Sequence, residues 1–278
     1  VGRAISFSDL AASVLWLLLL LAALFACAPS SEEGDASAEL PPISVAASTA
    51  RMMQELCELY AKDSGVRFRI DAGSSSTLAR QIEHGKGYSL FVAAHPKWVD
   101  YLLERGVGDA DSRQDWLRNE LVWIRHREAE FVLEQEGERL RLPASWSGLL
   151  SVGDPSHVPL GIYAEQALRH VGLWARFSPQ SQDEVAPRLV PAANASAALR
   201  NVSSGQCDTG IVYSSDAMQS EEVVVVHRFA AKSHERILYP LMLPKGASDV
   251  QRAFASWLLR SPEVAAVLSR HGFAPAGR

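Results

Sequence analysis

This chain predicts an α/β fold in which a mostly parallel sheet is covered by helices on both faces. Three observations carry that reading. From residue 43 onward, short apolar runs of strand length alternate with stretches of helical periodicity. Glycine, proline and serine punctuate the junctions between them. The composition, 47% hydrophobic and 21% charged over 278 residues, is globular, too apolar for disorder and too mixed for a polytopic membrane protein. No internal repeat or domain-sized linker breaks the alternation. Two lobes formed by chain crossover therefore fit better than two beads on a string.

The elements follow in order. Ile43 to Ala47 reads as a short apolar strand. Ser48 or Thr49 can cap the next helix, in which Met52, Leu56, Leu59 and Tyr60 recur at helical spacing before Gly65 ends it. Val66, Phe68 and Ile70 alternate with Arg67 and Arg69, the period of a half-buried strand. Gly73-Ser74-Ser75-Ser76-Thr77 then opens a helix holding Leu78 and Ile82, with a stop at Gly85. Leu90 to Ala94 is a strand, and Pro96 starts a helix through Trp98, Tyr101 and Leu102. Leu121 to Ile124 is a strand, and the charged stretch from Arg125 to Arg141 reads as exposed strands or loop. Leu149 to Val152 is a strand ending in Gly153-Asp154-Pro155, followed by a helix from Ile162 to Leu173. Ala195 to Val202 is a helix, Gly210 to Tyr213 a buried strand and Val223 to Val226 another. Ile237 to Leu243 is a strand interrupted by Pro240, and helices near Val250 to Leu259 and Pro262 to His271 close the chain.

The N-terminus has a different character. Ala11 to Ala26 carries no charge, Arg3 supplies a thin positive region before it, and the run ends at Leu24-Phe25-Ala26-Cys27. This resembles the bacterial lipoprotein signal, in which the cysteine becomes the lipidated first mature residue. Simple secretion and a retained anchor are the other readings. All three put the folded part outside the cytoplasm, with residues 1–26 as signal and 27–40 as lipidated Cys27 plus a flexible tether rich in Ser, Ala, Glu and Pro.

Several chemistries are excluded. A net charge of -5 argues against a nucleic-acid partner, which needs a basic surface to displace counterions. Three cysteines are too few for a disulfide framework or a four-ligand zinc site, and Cys57 and Cys207 read as buried free thiols. The eight histidines show no pair at three- or four-residue spacing on one helix, and no glycine-rich nucleotide loop is present. Ser75, His157 and Asp154 supply the residue types of a hydrolase triad, but without a Gly-x-Ser-x-Gly elbow. Asn194-Ala195-Ser196 and Asn201-Val202-Ser203 match a glycosylation pattern that is weak in a bacterial-type export setting.

Ser48 and Ser75 are the clearest functional signal. Each follows a strand and opens a helix. Taken singly, each is an ordinary helix cap. Two such junctions in sequential βα units bring their loops to one sheet edge, where unpaired N–H groups make an anion site.

The run from Gly73 to Glu83, reading Gly-Ser-Ser-Ser-Thr-Leu-Ala-Arg-Gln-Ile-Glu, resembles the periplasmic molybdate-binding proteins of ABC importers. So do Val45-Ala46-Ala47-Ser48, Pro96-Lys97-Trp98, Val152 to Ala164, Gly210 to Ala217 and Arg270-His271-Gly272-Phe273, in the family's order and across the whole mature chain. The resemblance implies a two-lobed periplasmic binding-protein fold of type II, each lobe a mixed, mostly parallel sheet flanked by helices, with a cleft between them. It implies lobe I from residues 41–119 and 238–278 and lobe II from 120–237. It also implies an oxyanion site in which Ser48 and Ser75 donate through hydroxyl and N–H, Leu160 and Ala195 through backbone N–H, and Tyr213 through its hydroxyl.

Such a set suits molybdate, a dianion with acceptor oxygens only. Tungstate, of nearly the same size, binds too in this reading, and only cavity size can reject sulfate. Hydrogenphosphate brings an O–H that needs an acceptor. No catalysis, cofactor or direct metal-ion ligand is expected. The implied partner is an ABC permease, served by a monomer held at the membrane through Cys27. Sulfate or another tetrahedral oxyanion as cargo, and an oxyanion sensor without a transport role, are the rival readings. Three departures bear on selectivity. Leu160 stands where the family has Ala. Ser89 and His95 replace acids on either side of Leu90-Phe91-Val92-Ala93-Ala94, and the segment between Trp146 and Gly153 is short.

Overall fold

A computed structural model describes residues 40–177 and 188–277. The expected signal, Cys27 and nearly all of the tether lie outside the described residues. Among those described, no helix is long and apolar enough to cross a membrane.

Two sheets organise the chain. Strands β1 (Ile43–Ala46), β2 (Ile70–Gly73), β3 (Leu90–Val92), β4 (Gln114–Arg118), β12 (Leu238–Met242) and β13 (Ala274–Pro275) form the first, in the order β13-β4-β12-β3-β1-β2. Strands β5 (Leu121–His126), β8 (Leu149–Gly153), β9 (Arg188–Ala192), β10 (Thr209–Tyr213) and β11 (Val223–Arg228) form the second, in the order β11-β5-β10-β8-β9. The chain leaves the first sheet through Asn119 and Glu120 and returns to it between β11 and β12. The charged stretch contains a small hairpin, β6 (Glu134–Glu136) with β7 (Arg139–Arg141).

Both sheets are mixed. β1 pairs in parallel with β2 and β3, and β8 pairs in parallel with β9 and β10. β4, β5, β11, β12 and β13 pair antiparallel. The antiparallel share exceeds the sequence expectation because the strands next to the crossovers have no helix between them to reverse their direction.

Helices cover both faces of the first sheet. Period-two alternation divides the side chains of β3: Leu90 and Val92 join the large core, while Phe91 joins a second cluster with Leu78, Ile82, Trp98 and Leu102. That second cluster holds the helices Ser75–Glu83 and Pro96–Glu104 against the sheet. On the other side, Tyr60 and Phe68 pack on Phe254 with ring centroids 4.9 and 4.7 Å away. This clamps the Ala50–Ser64 helix to the C-terminal Asp249–Arg260 helix. Glu55 adds a polar tie to the chain end, accepting from His271 Nε2 at 2.7 Å and from Arg270.

Several boundaries differ from the sequence reading. The strand expected over Val66 to Ile70 begins only at Ile70, although burial alternates from Val66 as the pattern demands. Phe68 turns to the Phe254 cluster, and the backbone joins β1 only at Arg69, whose carbonyl accepts from the Ile43 N–H at 2.8 Å. The helix expected from Ile162 begins at Pro159, which fits the first turn because its missing N–H has no helical partner to lose. Strand β4, strand β9 and the short Ser214–Ala217 helix carry too few periodic residues to be read in advance.

The start of the Pro159–His170 helix lies very close to the end of β8. A Cβ on Gly161 would stand 2.6 Å from the Asp154 carbonyl, and one on Gly153 would stand 2.8 Å from the Gly161 nitrogen. Only glycine permits that approach. Gly161→Ala is therefore expected to cost about 1–3 kcal/mol through overpacking, read as a lower midpoint in denaturant unfolding. An unchanged midpoint would show that the helix start can back away from the strand.

Candidate functional site

The carboxyl ends of β1, β2, β8, β9 and β10 lead to one small cavity of about 10 Å³. Its wall is made of Ala46, Ala47, Ser48, Gly73, Ser74, Ser75 and Ala94 from the first sheet side. Val158, Pro159, Leu160, Asn194, Ala195 and Tyr213 come from the second. The structure thus brings together all five residues expected at the site, Ser48, Ser75, Leu160, Ala195 and Tyr213. No lysine, arginine, aspartate or glutamate lines the cavity.

Four helix starts meet there. The 3-10 turn Ala47–Thr49 leads into the Ala50–Ser64 helix, and Ser75–Glu83, Pro159–His170 and Ala195–Ser203 begin at the same wall. The first N–H groups of each helix have no intrahelical partner, and the aligned peptide dipoles put partial positive charge at that end. Ser75 is the first residue of its helix, as is Ala195. Leu160 follows Pro159 and so supplies the first N–H of its helix.

The serine hydroxyls are not used as helix caps. The residue at the cap position before Ser75–Glu83 is Ser74, whose Oγ pairs with Ser76 Oγ at 2.8 Å. Ser75 Oγ instead accepts from the Ala94 N–H at 2.9 Å. Thr49 donates to the Ala46 carbonyl at 2.8 Å and caps nothing. Ser48 Oγ lies 3.1 Å from Tyr239 Oη. Both serines are almost wholly buried, at 3% and 1% exposure, so their donors face the interior and not water. The simple cap role considered for Ser48 and Ser75 therefore does not describe either hydroxyl. The one side-chain cap at the cavity is Asn194, whose Oδ1 accepts from the Ala197 N–H at 2.9 Å.

Tyr213 ends β10 with 1% exposure, and its Oη has no hydrogen-bond partner among the described residues. Burial pushes this phenol well above its ordinary range, so it is a neutral donor. A buried orphan hydroxyl costs about 1–3 kcal/mol unless something accepts from it. Its ring meets Tyr239 edge-on at 5.9 Å. Tyr239 is a site neighbour that the sequence reading missed. It lies 26 residues beyond Tyr213 on another sheet, and no local motif announces it.

The departures noted at Ser89 and His95 have definite positions. Ser89 Oγ donates to the Pro41 carbonyl at 2.5 Å, tying the strand to the chain entry. His95 caps the Pro96–Glu104 helix through the Lys97 N–H at 3.2 Å. Its ring stacks on Tyr163, from a helix of the second sheet, at 4.9 Å, and Nε2 lies 3.6 Å from Glu235. Burial lowers the His95 pKa, which favours the uncharged ring against Tyr163.

The hydrolase arrangement does not form. Ser75 makes no hydrogen bond to His157, whose Nδ1 turns to Ser156 Oγ at 2.9 Å. Among the described residues no group of three or more His, Cys, Asp or Glu is placed to hold a metal ion. Cys57 and Cys207 are free and buried, and burial lifts the Cys57 thiol to about 12.

Comparison with known proteins agrees across nearly the whole chain. Residues 42–274 match the family model of bacterial extracellular solute-binding proteins. The molybdate-binding protein ModA of Escherichia coli is 35% identical over 93% of this chain and 97% of its own. That of Haemophilus influenzae is 34% identical over 82% and 87% respectively. The solved periplasmic molybdate-binding protein of Azotobacter vinelandii superposes with a TM-score of 0.70 at 22% identity, over 84% of this chain and 98% of that one. The fold is accordingly the two-lobed, type II periplasmic binding-protein fold.

Asp216, three residues beyond Tyr213 of the cavity wall and 3% exposed, gives this region a pH signature. Burial raises its carboxyl from 3.8 to about 7, and its Oδ2 has no partner among the described residues. The folded protein keeps this proton up to about pH 7, whereas the unfolded chain releases it near pH 4, so stability drains as pH rises between those values. Buried His95 and His234, with lowered pKa, tilt stability the opposite way. The comparison must therefore be between wild type and Asp216→Asn. The expected result is that wild-type stability falls relative to the variant, by a few kcal/mol at most, from about pH 4 to 7. A pH-independent difference in denaturant unfolding would mean the carboxyl ionises normally.

Proposed function

The chain belongs to the bacterial extracellular solute-binding proteins, and from that premise we propose that it captures molybdate between its two lobes and delivers it to an ABC permease. Tungstate, alike in charge and nearly alike in size, is carried by the same site. The observation that carries this reading is the cavity wall itself, where four helix starts, two serine hydroxyls and one orphan phenol meet without a single charged side chain.

A fully deprotonated oxyanion offers only acceptors, and this wall offers donors. Ser48 and Ser75 give hydroxyl and backbone N–H, Leu160 and Ala195 give N–H, and Tyr213 gives its phenol. Neutral dipoles in a water-free cavity hold a dianion because they are already oriented and no solvent screens them. Hydrogenphosphate would bring a proton, and no carboxylate lines the cavity to accept it. Sulfate carries no proton, so the size of the cavity must reject it, with the Leu160 side chain part of that wall. The protein performs no covalent chemistry; its two lobes, residues 41–119 with 238–278 and residues 120–237, close around the ion by hinge motion at the two crossovers. Residues 1–26 direct export and Cys27 carries the lipid that holds the monomer at the membrane. Support for these last points is in the sequence alone.

Calorimetric titration of the purified protein with molybdate, tungstate, sulfate and phosphate tests the reading. Molybdate and tungstate should bind, and phosphate should not. Sulfate binding as tight as molybdate would overturn the selectivity, and no binding of any of the four would overturn the site. Ser48→Ala and Ser75→Ala should each weaken molybdate by about 1.5–3 kcal/mol, the worth of a hydrogen bond to a charged group. Unchanged affinity in the double variant would move the site elsewhere.

A further inference from the structure

Serine is a donor or an acceptor as its surroundings require, so the discrimination proposed above depends on what decides its direction. We propose that Asn119 and Tyr239, neither of them in the cavity wall, are positioning residues that force the Ser48 hydroxyl to donate into the cavity. This inference rests on the oxyanion reading of the site.

The direction can be traced from a group that has no choice. The Glu120 backbone N–H can only donate, and it donates to Asn119 Oδ1 at 2.9 Å. Ser214 Oγ donates to the same oxygen at 3.2 Å. The Asn119 amide is thereby oriented, and its Nδ2 donates to Ser215 Oγ at 2.8 Å and to Tyr239 Oη at 3.2 Å. Ser48 Oγ lies 3.1 Å from Tyr239 Oη, a contact in which either hydroxyl can donate. With the amide nitrogen already occupying one side of the Tyr239 oxygen, the proposed arrangement has Tyr239 donate and Ser48 accept. Ser48 is then an acceptor on that side, and its hydrogen is left for the cavity. Tyr239 is fully buried, so water does not compete for its hydroxyl.

The second serine is polarised by a shorter route. Ala94 N–H donates to Ser75 Oγ, which leaves the Ser75 hydrogen free. In this arrangement the Ser48 and Ser75 hydroxyls both accept from behind and donate forward. For Ser75 the donor behind it is main chain, so no side-chain substitution removes it. For Ser48 two side chains enforce it, so the rejection of a protonated oxyanion is adjustable through residues that never touch the ligand. Asn119 also sits at the crossover between the two sheets, with Tyr239 on the returning strand β12 and Ser214 and Ser215 just after Tyr213.

The test is the affinity of purified wild type, Tyr239→Phe, Asn119→Leu, Ser48→Ala and Tyr239→Phe/Ser48→Ala for molybdate and for inorganic phosphate near neutral pH. Tyr239→Phe keeps the ring that packs on Tyr213 and Phe273, and Asn119→Leu gives a second variant should the first fold poorly. With Ser48 free to rotate and accept, the preference for molybdate over phosphate should shrink by about tenfold in either variant. The loss of molybdate affinity from Tyr239→Phe should vanish in the Ser48→Ala background, because Tyr239 acts through that hydroxyl. An equal loss in both backgrounds, or an unchanged molybdate-to-phosphate ratio, would overturn the relay while leaving the site standing. Wild type that binds no oxyanion, or molybdate binding indifferent to Ser48→Ala, would take down the site reading and the relay with it.

Discussion

A helix begins with N–H groups that its own backbone cannot satisfy, and in this protein four helices begin at the same wall. Most of the architecture serves that convergence. Parallel pairing of β1, β2 and β3 in one sheet, and of β8, β9 and β10 in the other, points their carboxyl ends the same way, so the helices that follow start side by side. The glycine pair at residues 153 and 161 lets one helix start press against its strand. Apolar residues on the far sides of those helices, such as Leu78, Ile82, Leu168 and Val202, anchor them in the core. Partial charges from main-chain dipoles are fixed by the fold, unlike a lysine side chain that must be ordered on binding.

Such a wall works only if nothing negative stands behind it. Asp216 is buried close by, and the protein keeps it largely neutral by withholding water from the carboxyl. Tyr213 and Tyr239 are likewise held protonated by burial. The region is therefore rich in polar hydrogens yet nearly free of charge, which reconciles a net charge of -5 with an anionic cargo. His95, from the first sheet side, stacks on Tyr163, from a helix of the second.

Much of this was legible beforehand, for identifiable reasons. The strands Ile43–Ala46, Leu90–Val92 and Thr209–Tyr213 are short apolar runs bounded by turn residues, and the Ala50–Ser64 and Asp249–Arg260 helices carry their apolar stripes openly. Ser48 and Ser75 stood out because a strand-to-helix junction is a local pattern, whereas Tyr213 came from the family resemblance alone. Other features were not legible. Strand β4 and strand β9 become strands only because a neighbour supplies the ladder, and the alternation that starts at Val66 becomes a strand only from Ile70. The capping role weighed for the serines was overridden by contacts from residues far along the chain, Ala94 and Tyr239.

The sequence by itself determined the alternation of elements, the helix starts and the residue types that open them, because periodicity and capping are set by neighbours within a few positions. It also carried the family, through motifs that keep their order along the chain. Only the tertiary structure decided which way each hydroxyl faces, how Asp216 holds its proton, and that Asn119, Tyr239 and Ser48 form one line of hydrogen bonds. Those outcomes depend on the direction of a donor and the exclusion of water. Both arise when segments separated by up to 191 residues are packed together, and no local spacing encodes them.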